Sequence, residues 1–194
     1  MMIRTFLRHS TLTTVLCGFL LTGCVAAFLA GAAAGGIVVS DQRDVATIKD
    51  DSFIYHRILS RIVKDPVFSE SHIVISSFNR VVLLVGQTPV ASLKVTAEKI
   101  AGGTPNVTRV YNEITIAPPA TMKERSYDTW ITTTVKAHML AEKGLRSGSI
   151  KVVTEARTVF LMGVLTKSQA DLAVEVARQV EGVERVVKVF QYIT

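Results

Sequence analysis

Four histidines (His9, His56, His72 and His138) and two cysteines (Cys17 and Cys24) are the side chains best suited to hold a metal or attack a carbonyl, and their spacing serves neither purpose. No two fall at the intervals that let one helix or turn aim both at a single ion. Serines and threonines are plentiful, but none sits in a nucleophile elbow or beside a readable acid and base. Gly102-Gly103-Thr104 follows a helical stretch, where it acts as a stop, instead of preceding one, where it would cradle phosphate. The expectation is a protein that is not an enzyme, with no catalytic residue, metal, cofactor or small-molecule substrate. Two residues offer chemistry of another kind: Cys24 and Trp130, the single tryptophan.

Cys24 closes a leader. Residues 1–23 run from a basic start (Arg4, Arg8) through an apolar stretch, Leu12 to Leu21, to small residues, the layout of an export signal. The apolar stretch is short of the roughly 20 residues that span a bilayer. Its end, Leu21-Thr22-Gly23-Cys24, resembles the lipobox of bacterial lipoproteins, in which the cysteine thiol is acylated and becomes the first mature residue. A plain secretory leader followed by an unpaired cysteine is the alternative. Cysteine arithmetic favours the lipid: Cys17 leaves with the leader, so Cys24 has no disulfide partner in an oxidising compartment. The three acyl chains that the resemblance implies hold a protein in a membrane permanently, since two already suffice. By the same resemblance, Val25 after the cysteine, in place of aspartate, implies the outer membrane, on its periplasmic face. Residues 24–48 are expected to be the acylated cysteine and a tether. The small residues of 25–39, Gly31 and Gly35 among them, supply too little hydrophobic drive for a buried helix.

Trp130 belongs to a repeat. Val82-Leu83-Leu84-Val85-Gly86 is echoed by Val159-Phe160-Leu161-Met162-Gly163, and the offset of 77 also aligns Asp51 with Asp128, Phe53 with Trp130, Ile58 with Val135 and Ile75 with Val152. At offset 76 Val107-Thr108-Arg109-Val110 falls on Val183-Glu184-Arg185-Val186. Residues 49–117 and 126–194 are therefore two copies of one unit, joined by a proline-containing linker at 118–125. A 70-residue unit has a thin stability margin, so the copies are expected to brace each other. The net charge of +6 falls to +4 once Arg4 and Arg8 are set aside, too weak and dispersed for nucleic acid but compatible with an anionic membrane.

Within each unit Asp51 or Asp128 is the expected N-cap of a first helix whose core face is Ile54, Ile58 and Ile62, or Ile131, Val135 and Met139. A hairpin follows, turning over Phe78-Asn79-Arg80 or Glu155-Ala156-Arg157. Thr88-Pro89 and Thr166 open a second helix, and a strand alternating Val110, Asn112, Ile114 or Val186, Lys188, Phe190 closes the unit. The order predicts an α+β fold, αββαβ in each copy, with a three-stranded sheet and two helices on one face. On this reading Trp130 lies near the start of its helix, at the edge of the core face. There it serves either an anionic lipid headgroup, helped by free backbone amides and Lys136, or the domain core as a plug.

The order of helix, hairpin, Leu-Val-Gly or Leu-Met-Gly, helix and closing Val-x-x-Val strand resembles the BON domain of bacterial periplasmic proteins that meet membranes. The local sequences Val85-Gly86-Gln87, Val110-Tyr111-Asn112-Glu113-Ile114, Asp128-Thr129-Trp130-Ile131-Thr132-Thr133 and Phe160-Leu161-Met162-Gly163 carry that likeness. Two such domains behind a lipobox imply a lipid-anchored outer-membrane protein of division sites that supports envelope integrity. The resemblance also implies that the second domain binds anionic phospholipid, phosphatidylglycerol above all, through its first helix. Trp130, Thr133, Lys136, Ala137 and Leu140 are the expected contacts, with Leu145 at the rim. An envelope protein recognised by the same helix or by the first domain is the alternative partner.

Overall fold

A computed structural model describes residues 43–194; the leader, Cys24 and the expected tether up to residue 42 lie outside the described residues. Helix α1 (Val45–Val63) begins where Asp44 accepts a hydrogen bond from the Thr47 amide at 2.7 Å. The chain then forms β1 (His72–Phe78), β2 (Val81–Thr88), α2 (Ala91–Gly102) and β3 (Arg109–Ile116). The second copy repeats this order as α3 (Met122–Ala141), β4 (Ile150–Glu155), β5 (Thr158–Leu165), α4 (Lys167–Arg178) and β6 (Arg185–Tyr192). Each sheet has its first two strands antiparallel and its last two parallel, with the glycine-containing strand in the middle and continuing two residues past Gly86 or Gly163. The α+β architecture expected from the sequence is thus present twice.

Asp51 and Asp128 are not caps. Both first helices start six residues earlier, α3 from a capping box in which Thr121 and Glu124 exchange side-chain and backbone hydrogen bonds. Residues 45–48 and 122–125, expected in the tether and the linker, are helical. The aspartates instead face inward, buried, and hold the hairpins. Asp51 accepts from the Asn79 and Arg80 amides at 2.7 and 2.8 Å, and Asp128 from the Ala156 and Arg157 amides at 2.9 Å each. All four turn residues have positive φ, between 46 and 63°, the backbone of a type I′ turn that is ordinarily given to Asn-Gly. The carboxylate holds what the residue types alone disfavour. Thr88 also differs from expectation: it ends β2, and α2 begins after Val90 with no side-chain cap, whereas Thr166 caps α4 as expected.

Alternation along β2 and β5 divides the apolar residues between two cores. Val82 and Leu84 face α1 and α2 with Ile54, Ile58 and Ala97, while Val159 and Leu161 face α3 and α4 with Ile131, Val135 and Ala173. The intervening residues meet one another: Phe78, Val81, Leu83 and Val85 of the first sheet pack with Phe160, Met162 and Val189 of the second. The result is a four-layer stack of helices, sheet, sheet and helices. Burying each of these side chains is worth roughly 1.5–3 kcal/mol as an upper bound, so apolar contact decides that the domains dock. Polar pairs also join the two sheets. Gln87 Nε2 donates to Glu155 Oε1 at 2.8 Å, Asn79 Nδ2 to Gln191 Oε1 at 2.8 Å, and Lys151 Nζ to the Ser77 carbonyl at 3.1 Å.

Candidate functional site

The core face of α3 is Ile131, Val135 and Met139, each at most 1% exposed, and this fixes what the other side presents. Trp130, Thr133, Lys136, Ala137 and Leu140 are all exposed, and with 3.6 residues per turn they form one outward face. Trp130 is 45% exposed and Leu140 is 41% exposed, so the indole does not plug the core. Nor does its equivalent Phe53, at 44%. Leu145 differs from expectation: it is half-buried and packs on the domain core.

Trp130 is the ninth residue of α3, more than two turns from the free amides of the helix start, so those amides do not assist an anion at the indole. A different support is present. The Tyr127 ring stacks on the indole, centroids 5.4 Å apart and planes at 28°. The Arg157 guanidinium lies 5.1 Å from the centre of the tyrosine ring. Tyr127 is itself half-buried against the domain core, its hydroxyl end seated where a side chain on Gly182 would collide with it. Arg157, Tyr127 and Trp130 thus form a row anchored in the turn and the core, with the indole at its outer end. Tyr127 is not among the contacts expected from the sequence because Asp128 reads as the start of the helix; its spacing of three from Trp130 is the available signal.

The threonines of this face are quiet. Thr129, Thr133 and Thr134 donate their hydroxyl protons to the carbonyls four residues back, of Arg125, Thr129 and Trp130, at 2.9–3.0 Å. No hydroxyl donor on this stretch remains to be satisfied by water, which lowers the cost of taking the face out of water. Lys136 adds one exposed cation. Beside the row, a cleft of about 1240 Å³ opens between the linker and α3, lined by Gln87, Pro118, Pro119, Tyr127, Trp130 and Arg157.

At the inner end of the cleft Gln87 leads to Glu155, which is buried in the joint between the domains. Burial raises its carboxyl above the ordinary glutamate value; the hydrogen bond from Gln87 and the nearby His72, 3.7 Å away, partly offset that rise. Among the described residues no group of three or more His, Cys, Asp or Glu side chains is placed to hold a metal ion. Nor is any helix among them long and apolar enough to cross a membrane.

Comparison with known proteins agrees with this architecture. The BON domain model matches residues 50–118 and 127–194. The chain is 37% identical over 174 residues to "Outer membrane lipoprotein DolP" of Haemophilus influenzae, covering 89% of this chain and 90% of that one. It is 39% identical over 154 residues to a "21 kDa hemolysin" of Actinobacillus pleuropneumoniae, covering 79% of each. To "Osmotically-inducible protein Y" of Escherichia coli it is 30% identical over 156 residues, 79% of this chain and 78% of that one. With both repeats matched from first helix to last strand, the chain belongs to the BON-domain family and carries two copies of the domain in tandem.

Proposed function

We propose that this chain is a non-enzymatic outer-membrane lipoprotein, acylated at Cys24 and held on the periplasmic face, whose second domain docks the outer face of α3 on anionic phospholipid. Trp130, Thr133, Lys136, Ala137 and Leu140 form the contact, and phosphatidylglycerol is the implied lipid. The observation that carries this reading is the half-exposed indole, backed by Tyr127 and followed along the same face by exposed Leu140. Tryptophan with one edge apolar and the other wet suits the headgroup level of a bilayer. Likeness to a lipoprotein named for the outer membrane supports the location.

Permanent acylation changes what the α3 contact is for. A weak second contact acts at high effective concentration once the chain is tethered, so it selects orientation and lipid composition instead of supplying attachment. Enrichment at the division septum and support of envelope integrity follow from such selection. A fragment of residues 43–194, which contains all three apolar clusters, is expected to float with vesicles containing phosphatidylglycerol and not with phosphatidylcholine alone. Trp130→Ala is expected to weaken flotation about tenfold; no flotation with any vesicle overturns the reading. The cleft beside Trp130 favours one alternative, an extended segment of an envelope protein laid against Pro118, Pro119 and Tyr127. That reading predicts no lipid dependence and a binding loss in Tyr127→Ala.

A further inference from the structure

Phe53 holds in α1 the position that Trp130 holds in α3, and it is exposed to the same degree, 44% against 45%. Its neighbours differ in charge. Lys49, His56, Arg57, Ser60 and Arg61 join it in lining a shallow concavity of about 690 Å³, and the Arg57 guanidinium stands 5.5 Å from the phenyl centroid. Lys49, Arg57 and Arg61 are exposed and form no ion pair among the described residues. The acids of this helix are spent elsewhere: Asp50 binds Arg80 and Asn106, and Asp51 is buried in the hairpin. The outer face of α1 is thus a stripe of three cations without an ion pair among the described residues, set about an exposed aromatic and roughly 18 Å long at 1.5 Å per residue. Its positive density exceeds that of the α3 face, where Lys136 is the cation among the proposed contacts.

The layer order places this stripe. Each pair of helices covers one side of its own sheet, and the other sides of the sheets pack together, so α1 and α3 lie in opposite outer layers. A flat bilayer that meets one face leaves the other turned away. We propose that the outer face of α1 is a second docking surface for anionic phospholipid, so that the molecule is bivalent and joins two anionic bilayer surfaces. Guanidinium forks and the Lys49 ammonium match phosphodiester headgroups, while Phe53 enters the apolar boundary beneath them.

The test uses the full chain, purified from membranes in detergent and reconstituted into neutral phosphatidylcholine vesicles that can be pulled down. Fluorescent acceptor vesicles with and without phosphatidylglycerol are then added. Only acceptors containing phosphatidylglycerol are expected to be captured, and Trp130→Ala and Arg57→Glu/Arg61→Glu should each lower capture without abolishing it. In the Trp130→Ala background the double arginine change should reduce capture about tenfold or more, with the residual signal lost as salt rises. Phe53→Ser is the milder second variant and should reduce capture in the same background. Complete loss on Trp130→Ala alone, or indifference to the arginine changes in that background, overturns the proposal and leaves the α3 reading standing. Loss on the arginine changes with no effect of Trp130→Ala keeps α1 as a docking face but overturns both bivalence and the α3 reading. All four substituted side chains are exposed, so unchanged thermal melting shows that the comparison is between folded proteins.

Discussion

The two copies agree where they hold themselves together and part company where they meet the outside. Asp51 and Asp128 bind the same turn amides, and Gly86 and Gly163 sit opposite Ile73 and Ile150 in the same register. On the outer faces of the first helices the resemblance stops: α1 shows three exposed cations around Phe53, and α3 shows an aromatic row backed by a turn arginine. A duplicated fold keeps what folding demands. What differs between copies is then the better guide to function, because no structural requirement explains it.

The shared frame is broken most severely at the buried aspartates. Asp128→Ala leaves two turn amides unpaired in a left-handed backbone and is expected to cost about 2–5 kcal/mol in denaturant unfolding. Asp51→Ala should cost more, since Asp51 also accepts from Ser77 at 2.7 Å and pairs with Arg43. A smaller loss for Asp51 would show that the two carboxylates are not equivalent. The glycines sharpen the comparison next. A methyl group at Gly86 would overlap the His72 carbonyl, and its φ of +117° is closed to other residues. At Gly163 the corresponding methyl would stand 2.7 Å from the Ser149 carbonyl, without the left-handed backbone. Gly86→Ala is therefore expected to lower stability by about 2–4 kcal/mol and Gly163→Ala by less, measured by the same unfolding curves.

The frame was legible in the sequence because it repeats. The order of helices and strands along the chain recurs when Gly86 is aligned with Gly163, and the four-residue period gives the inward faces of both first helices. The same alignment misled at the helix starts. Asp51 and Asp128 match each other because they serve a tertiary role, while the true caps, Asp44-x-x-Thr47 and Thr121-x-x-Glu124, differ at both matching positions and escape a search for repetition. The docking of sheet on sheet was half legible. An unbroken apolar run such as Val81 to Val85 is the mark of a strand buried on both faces, and the helices cover only one. The polar pairs of that joint carried no pattern to read: Gln87 meets Glu155 across 68 residues and Asn79 meets Gln191 across 112. At the candidate site the exposed positions of α3 followed from its period, but Tyr127 and Arg157 needed the fold to bring them to Trp130.

On the outer faces the expected effects are on binding. Trp130→Ala removes a side chain that is nearly half exposed, so unfolding should shift by no more than about 1 kcal/mol while flotation with phosphatidylglycerol falls. An equal loss of stability and binding would assign the indole to the frame and dissolve the contrast between the copies.

The smallest effect belongs to the joint, where Glu155 has no acidic counterpart, its equivalent by the repeat being Phe78. Its carboxyl is raised by burial, so the folded protein holds the proton more tightly than the unfolded chain does. The stability this group contributes is fully present below its unfolded value and is lost as pH rises through its higher folded value. At neutral pH the ionised form is the unfavourable one in the folded state. Glu155→Gln keeps an oxygen to accept from Gln87 and carries no charge at any pH, so it should raise the unfolding midpoint at pH 7 and match wild type more closely near pH 4. Comparing the two chains at each pH cancels the opposite trend of Asp44 and Glu124, whose lowered values favour folding as pH rises. A variant less stable than wild type at neutral pH would mean that attraction to His72 outweighs burial, and that the joint is held by an ion pair after all.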